Sequence, residues 1–222
     1  MTEAPVKPLS FLRKQPGLFA FDMDSTLVDG EGVDEFARER GCYEEVARVT
    51  EAAMRGEIDF AESLRQRMAF LKGLTVADID RVYDRMPLMP GAIELFAELR
   101  KMGHRFAILS GGFDLLAERY TRDLGGVDFV LVNQLELVDG ECTGRVLPPI
   151  IDAAGKARGL EEAAKKFRIP LTHTVATGDG ANDIPLLRRA AFGIAFCAKP
   201  KLRAEAKHQI DVKDLSRILE LI

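Results

Sequence analysis

The chain has 222 residues, 47% of them hydrophobic, with 31 basic against 35 acidic side chains and a formal net charge of −4. That is enough for one large domain, or a domain carrying a smaller inserted one, and it leaves no basic excess for a nucleic-acid surface. Three scattered cysteines, Cys42, Cys142 and Cys197, fit reduced thiols of a cytoplasmic protein rather than a disulfide framework or a zinc site.

In chain order, MTEAPVKPLSFLRKQPG lacks the apolar stretch of a signal peptide, and residues 1–15 read as a loosely ordered leader. No later run approaches the ~20 apolar residues of a membrane span. The first strand is the apolar run Leu18 to Phe21, which ends in Asp22-Met23-Asp24-Ser25-Thr26. One acid at a strand end suits a turn. Two of them, two positions apart, repel unless a cation, a shared proton or a substrate compensates.

Residues 30–88 read as helical throughout, with patterns such as VARVTEAAM and FAESLRQRMAFL, between hinges at Asp29-Gly30 and Met86 to Gly91. They form a helical cap inserted into a core made of residues 16–29 and 89–222. Within the cap, Arg67 follows Phe60 by seven positions, so it lies within roughly 20° of it at about 100° per residue. Leu64, Met68 and Leu71 share that apolar side. An arginine so placed commonly snorkels to solvent, and Glu31, just before a helix start, also suits the helix dipole.

The remaining elements alternate. A helix over 92–102 stops at Gly103; a strand over 105–109 runs into Ser110-Gly111-Gly112-Phe113, which opens a helix over 113–124. A strand over 128–132 precedes a hairpin, Leu135 to Val146, turning at Asp139-Gly140. A helix over 157–167, a strand over 174–177, a helix over 184–190 and a strand over 192–196 follow. Continuous apolar strands between helices predict an α/β fold, a three-layer Rossmann-like sandwich around a parallel sheet. Ligands in such sheets bind outside the carboxyl ends of the strands.

Those ends carry the chemistry. Ser110 and two glycines let backbone N–H groups approach an anion, although Ser and Gly are also ordinary turn formers. Gly178-Asp179-Gly180-Ala181-Asn182-Asp183 brings two more carboxylates, of which Asp183 could simply cap the next helix. Asp179 beside Asp22 would be costly without a hard cation such as Mg²⁺. Lys156, near a helix N-terminus, opposes the dipole, which a bound phosphate would explain and a solvated surface position would explain equally.

Together these four segments resemble the haloacid dehalogenase-like phosphohydrolase superfamily, through DMDST, Ser110, Lys156 and GDGAND. The likeness extends to its phosphoserine phosphatase subfamily through EGVDEFARERG, AAMRG, IDFAESLRQRMAFLKGL, LSGGFD, the hairpin, VATGDGANDIPLL and IAFCAKP. The resemblance implies that the first and fourth β-α strands are neighbours. It implies Asp22 as nucleophile and Asp24 as general acid and base. Mg²⁺ would be held by the Asp22 carboxylate, the Asp24 main-chain carbonyl and Asp179, with Asp183 supporting them. Ser110, Gly111, Lys156 and Asn182 would hold phosphate, while Arg67 and Glu31 would meet the substrate carboxylate and ammonium between Met54 and Phe60. The implied reaction is hydrolysis of O-phospho-L-serine, the last step of serine biosynthesis, with no nucleic-acid, membrane or obligate protein partner. A phosphotransferase from phosphoserine to homoserine, a phosphatase for another small monoester and a phospho-receiver domain stay open, the last disfavoured by the cap and by GDGAND.

Overall fold

In the computed structural model, which describes residues 8–222, the first strand, β1 (Leu18–Phe21), is buried on both faces. Phe19 and Phe21 enter one hydrophobic cluster, and Leu18 and Ala20 enter another on the opposite side of the sheet. This two-sided burial is why the run is continuously apolar rather than alternating.

β1 lies between β2 (Arg105–Phe113) and β5 (Thr174–Gly178), parallel to both, in the sheet order β4-β3-β2-β1-β5-β6-β7. The outer strands are β3 (Phe129–Val138), antiparallel β4 (Glu141–Leu147), β6 (Phe192–Phe196) and β7 (His208–Ile210). Phe21 pairs with Ile108 on one side and Thr177 on the other. Continuing that register sets Asp22 level with Leu109 and Gly178, so Ser110 and Asp179 follow one residue on, at the same edge of the sheet.

Helices α5 (Ala92–Lys101) and α6 (Asp114–Asp123) cover the face with Phe19 and Phe21. There Phe96 stacks on Phe106 with centroids 4.5 Å apart, and each buried side chain of this size contributes about 1.5–3 kcal/mol. The other face carries α7 (Ala153–Phe167), α8 (Ile184–Arg189) and α9 (Pro200–Arg203), with Leu160, Leu186 and Leu202 buried against the sheet.

The inserted segment forms α1 (Gly32–Arg40), α2 (Tyr43–Met54), α3 (Phe60–Phe70) and α4 (Val76–Arg85). Asp59 caps α3 by accepting from the Glu62 N–H at 2.8 Å, and Thr75 with Asp78 forms a capping box on α4. The two crossings between cap and core pair with each other: Asp29 N–H donates to the Pro87 carbonyl at 3.0 Å, and Met89 N–H to that of Leu27 at 2.8 Å. The hairpin touches the cap through backbone bonds of 2.7 Å in both directions, Gly73 N–H to Cys142 O and Cys142 N–H to Leu74 O.

Several boundaries differ from the sequence reading. Ser110-Gly111-Gly112 does not open a helix: β2 continues to Phe113 through a register break after Leu109, because the three small residues tolerate a bulge. The predicted strand over 128–132 and the first arm of the hairpin are one long strand, β3. Helix α7 starts at Ala153, capped by Asp152, so Lys156 sits one turn inside it, and β7 was not anticipated. The leader lies partly outside the described residues. Its described part is packed, with Leu9 and Leu12 buried and Leu9 N–H bonded to the Leu221 carbonyl at 2.8 Å. None of the three cysteines is in a disulfide, and no helix among the described residues is long and apolar enough to cross a membrane.

His104, just before β2, is buried at 3% exposure and accepts the Gly17 N–H on Nδ1 at 2.9 Å. Burial pushes its pKa down to about 4, whereas an unfolded histidine titrates near ~6.5. Between those values the unfolded chain binds a proton that the folded one refuses, so stability falls as pH falls through this window, by about 2 kcal/mol at pH 5. Urea unfolding at pH 7.5 and pH 5 should show this loss in the wild type. His104→Asn, which keeps an acceptor for Gly17 but cannot titrate, should lose that much less between the two pH values.

Candidate active site

The level at which β1, β2 and β5 end is roofed by the cap, leaving a cavity of about 340 Å³. Ten of the twelve residues singled out in the sequence line it; Lys156 and Asp183 lie behind its floor. Asp22 is 4% exposed, with Oδ1 accepting the Met23 N–H at 2.7 Å and Oδ2 2.7 Å from Lys156 Nζ. The same ammonium donates to Asp183 Oδ1 at 2.8 Å. Asp183 Oδ2 in turn accepts the Asp179 and Gly180 N–H groups at 3.1 and 3.0 Å.

Gly178 is required where β5 meets this loop, since a Cβ there would stand 2.4 Å from the Asp183 carboxyl carbon. Burial and the Asp22 charge push the Asp183 carboxyl up, while Lys156 opposes them. For Lys156, burial disfavours the charge but the two carboxylates prevail and raise its pKa. The ammonium is therefore charged inside the protein, between two carboxyl groups.

Asp24 meets a different environment. Its Oδ1 accepts the Gly32 N–H at 3.1 Å at the start of α1. Burial first, then Glu31 and Asp22, push its pKa up to about 8. Two carboxylates two residues apart thus divide into one paired with a cation and one that keeps its proton at neutral pH, a separation typical of acid–base sites.

Across the cavity, Ser110 Oγ accepts the Gly112 N–H at 3.0 Å. A Cβ on Gly112 would stand 2.5 Å from Met23 Cε and 2.9 Å from Asp24 Oδ2, so any larger residue would have to displace those side chains. Gly111 is held by Asn133, whose amide donates to the Gly111 carbonyl and whose oxygen accepts the Ile151 N–H, both at 2.8 Å. On the cap, α3 brings Phe60 and Arg67 to the wall. Arg67 makes no ion pair among the described residues; its Nε reaches only the Ser63 carbonyl, at 3.4 Å. Met54 sits at the rim, 83% exposed.

Sequence reasoning assigned no role to three residues here. Asp34 faces the cavity from α1, three positions after Glu31, its carboxyl pushed up by burial and by Glu31. Lys199 belongs to CAKP, a further strand-end motif, and its ammonium meets Glu31 Oε1 at 2.9 Å and Asp179 Oδ2 at 3.0 Å. Asn133 is a fully buried amide in β3, and the only sign of it in sequence is the amide that follows the apolar run Phe129 to Val132.

Carboxylate oxygens of Asp22, Asp179 and Asp183 come within 4.8 Å of one another, all buried. Such hard-oxygen donors fit a small divalent cation, which would relieve their mutual repulsion.

The haloacid dehalogenase-like hydrolase family matches residues 19–188. Phosphoserine phosphatase SerB2 of Mycobacterium tuberculosis is 48% identical over 205 residues, covering 92% of this chain and 50% of its own; the present chain spans about half the length of that relative. A phosphoserine phosphatase of Idiomarina loihiensis is 48% identical over 208 residues, 94% of each chain. A solved structure described as a phospho-aspartyl intermediate analogue of phosphoserine phosphatase superposes with a TM-score of 0.86 at 42% identity, covering 94% of this chain and all (100%) of that one.

Lys156→Met leaves two buried carboxylates without their cation and should cost about 3–5 kcal/mol in urea unfolding at pH 8. A loss under ~1 kcal/mol would mean that the cluster holds its charge without the lysine.

Proposed function

The chain belongs to the haloacid dehalogenase-like hydrolase family, and we propose that within it this chain hydrolyses O-phospho-L-serine to L-serine and phosphate. One observation carries the reading. A cavity with Asp22 and Asp24 on its floor presents, on the cap side, an arginine with no acidic partner among the described residues and an acid, Glu31, close by. A phosphate, a carboxylate and an ammonium on one small molecule match those three features, and the names of the relatives point to the same substrate.

In the proposed reaction, Asp22 attacks phosphorus as the bond to the serine oxygen breaks, forming an aspartyl-phosphate. Asp24, protonated at neutral pH by its surroundings, gives its proton to the departing serine oxygen, which would otherwise leave as a strongly basic alkoxide. As a carboxylate, Asp24 then takes a proton from the water that attacks phosphorus, releasing phosphate and regenerating Asp22. Lys156, already against Asp22, together with Ser110 Oγ, the Gly111 N–H and Asn182, balances charge on the phosphoryl oxygens. Mg²⁺, held by Asp22, the Asp24 main-chain carbonyl and Asp179 with Asp183 behind them, would offset further charge on the phosphoryl group. Arg67 takes the substrate carboxylate and Glu31 its ammonium, with Phe60 and Met54 at the sides. Unpaired thiols suit a cytoplasmic enzyme, and serine as product puts it at the end of serine biosynthesis.

Asp22→Asn should abolish turnover while the circular dichroism and thermal transition remain those of a folded protein, because an amide cannot form the acyl phosphate. Hydrolysis retained above ~1% of wild type would remove Asp22 as nucleophile.

Free phosphate release should require a divalent cation, with Mg²⁺ supporting turnover and Ca²⁺ inhibiting it, since Ca²⁺ prefers more ligands and looser geometry. Full activity in excess EDTA would contradict this. The same assay with and without homoserine separates hydrolysis from phosphotransfer.

Arg67→Ala should lower kcat/KM for phosphoserine roughly 30- to 1000-fold, the worth of a charge-assisted contact in an enclosed site. Turnover of phosphoethanolamine, which has no carboxylate, should fall far less, and Arg67→Lys should restore only part of the loss because a point charge cannot reproduce the guanidinium fork. Equal losses on both esters would make Arg67 a support of the cap instead.

A further inference from the structure

Lys199 stands at a corner of the cavity where the floor meets the cap. It is held twice to Asp179. Its main-chain N–H donates to the Asp179 carbonyl at 2.8 Å, and its ammonium lies 3.0 Å from Asp179 Oδ2. Pro200 follows as the first residue of α9, so the backbone that aims the side chain is stiff. The same ammonium donates to Glu31 Oε1 at 2.9 Å, where Ser25 Oγ also donates at 2.9 Å. Burial opposes the lysine's charge, yet Glu31 and Asp179 hold its pKa above the ordinary value.

The consequence falls on Glu31. Oε1 has two donors and Oε2 has none among the described residues, so the free oxygen is the one left to accept a ligand. Ser25 Oγ is the second donor to Oε1, six positions away in sequence; the side chain is 46% exposed, and Lys199 ties it to the core across 168 positions. Asp179 and Glu31 are like groups on either side of the ammonium, which keeps them from repelling each other freely. Without the lysine between them, a single neutral hydrogen bond from Ser25 would hold the exposed partner, too little to keep it from turning out into water.

We propose that Lys199 is a positioning residue for substrate selection: it pins Glu31 against the core so that the free carboxylate oxygen recognises the ammonium of an amino-bearing phosphomonoester. This rests on the phosphoserine reading above. Lys199 touches neither the phosphoryl group nor Asp22 in this role, so its effect belongs to discrimination and KM rather than to the chemical step.

The test compares O-phospho-L-serine with its des-amino analogue, 3-(phosphonooxy)propanoate, which keeps the phosphate and carboxylate. Wild type, Lys199→Met and Lys199→Arg are assayed on both esters, and Mn²⁺ binding to each protein without substrate is titrated by electron paramagnetic resonance. Lys199→Met should lower the ratio of kcat/KM values, phosphoserine over analogue, by roughly tenfold, mainly through KM for phosphoserine. Lys199→Arg, which retains a cation able to bridge both acids, should keep most of the ratio. Mn²⁺ affinity should stay within about threefold of wild type, because Asp179 keeps its other oxygen and its buried neighbours. A ratio unchanged in Lys199→Met overturns the proposal. So do equal losses on both esters accompanied by weakened Mn²⁺ binding, which would make Lys199 a support of Asp179 alone. If the wild type itself fails to prefer phosphoserine, the substrate reading falls and this inference falls with it.

Discussion

A fully buried ammonium with a carboxylate on each side is the interaction around which this molecule is arranged. Isolated, Lys156 would cost several kcal/mol to bury, and so would Asp183. Together they hold because the opposite charges meet and the carboxylates are held further: Lys156 bonds Asp22 and Asp183, and Asp183 accepts two backbone N–H groups from its own loop. The constraint spreads outward. β5 must end in Gly178, since no Cβ fits beside the Asp183 carboxyl. Helix α7 must press close to the sheet to deliver the lysine, and it does so at Gly159, where a Cβ would stand 2.5 Å from Leu131.

The same cluster separates the fates of two acids that neighbour each other in sequence. Asp22 faces Lys156 directly, whereas Asp24 faces Glu31 and the start of α1, and Lys156 is the weakest influence on it. The paired group is suited to be an anion, the other to carry a proton. That difference is electrostatic rather than chemical, because both are aspartates. It requires the cap as well as the core, since Glu31 and Gly32 belong to the inserted segment.

In the proposed reaction, chemistry and selection are divided between two layers of the structure that meet at a few points. The floor is made of strand ends, rigid because the strands are buried on both faces. The wall is made of α1 and α3, whose position depends on a short paired hinge, on the hairpin bonded to the segment after α3, and on the Lys199 bridge. Arg67, half-buried on α3, makes no ion pair among the described residues, and its charge is favoured by Asp34 and Glu31 nearby.

What the sequence by itself determined was everything local. Strands buried on both faces are continuous apolar runs, glycines and prolines mark the stops, and acids, glycines and a serine at strand ends announce an anion-handling edge. Those signals sufficed for the α/β sandwich, the helices that follow the first strand, the hairpin turn at Asp139-Gly140 and the strand-end candidates Asp22, Asp24, Ser110 and Asp179, whereas Glu31, Met54, Phe60 and Arg67 were singled out through the family resemblance. They did not extend to boundaries where small residues serve two geometries equally, as at Ser110-Gly111-Gly112, which is a bulged strand end rather than a helix start. Nor did they reveal Lys199 or Asp34, whose meaning lies in what stands opposite them. Only the tertiary structure decided that Lys156 lies behind the floor between Asp22 and Asp183, and that Lys199 reaches Glu31 across the cavity. Such pairings depend on strand order and on how an insertion folds back, and no short stretch of sequence carries the distance between residues brought together by the packing of the whole chain.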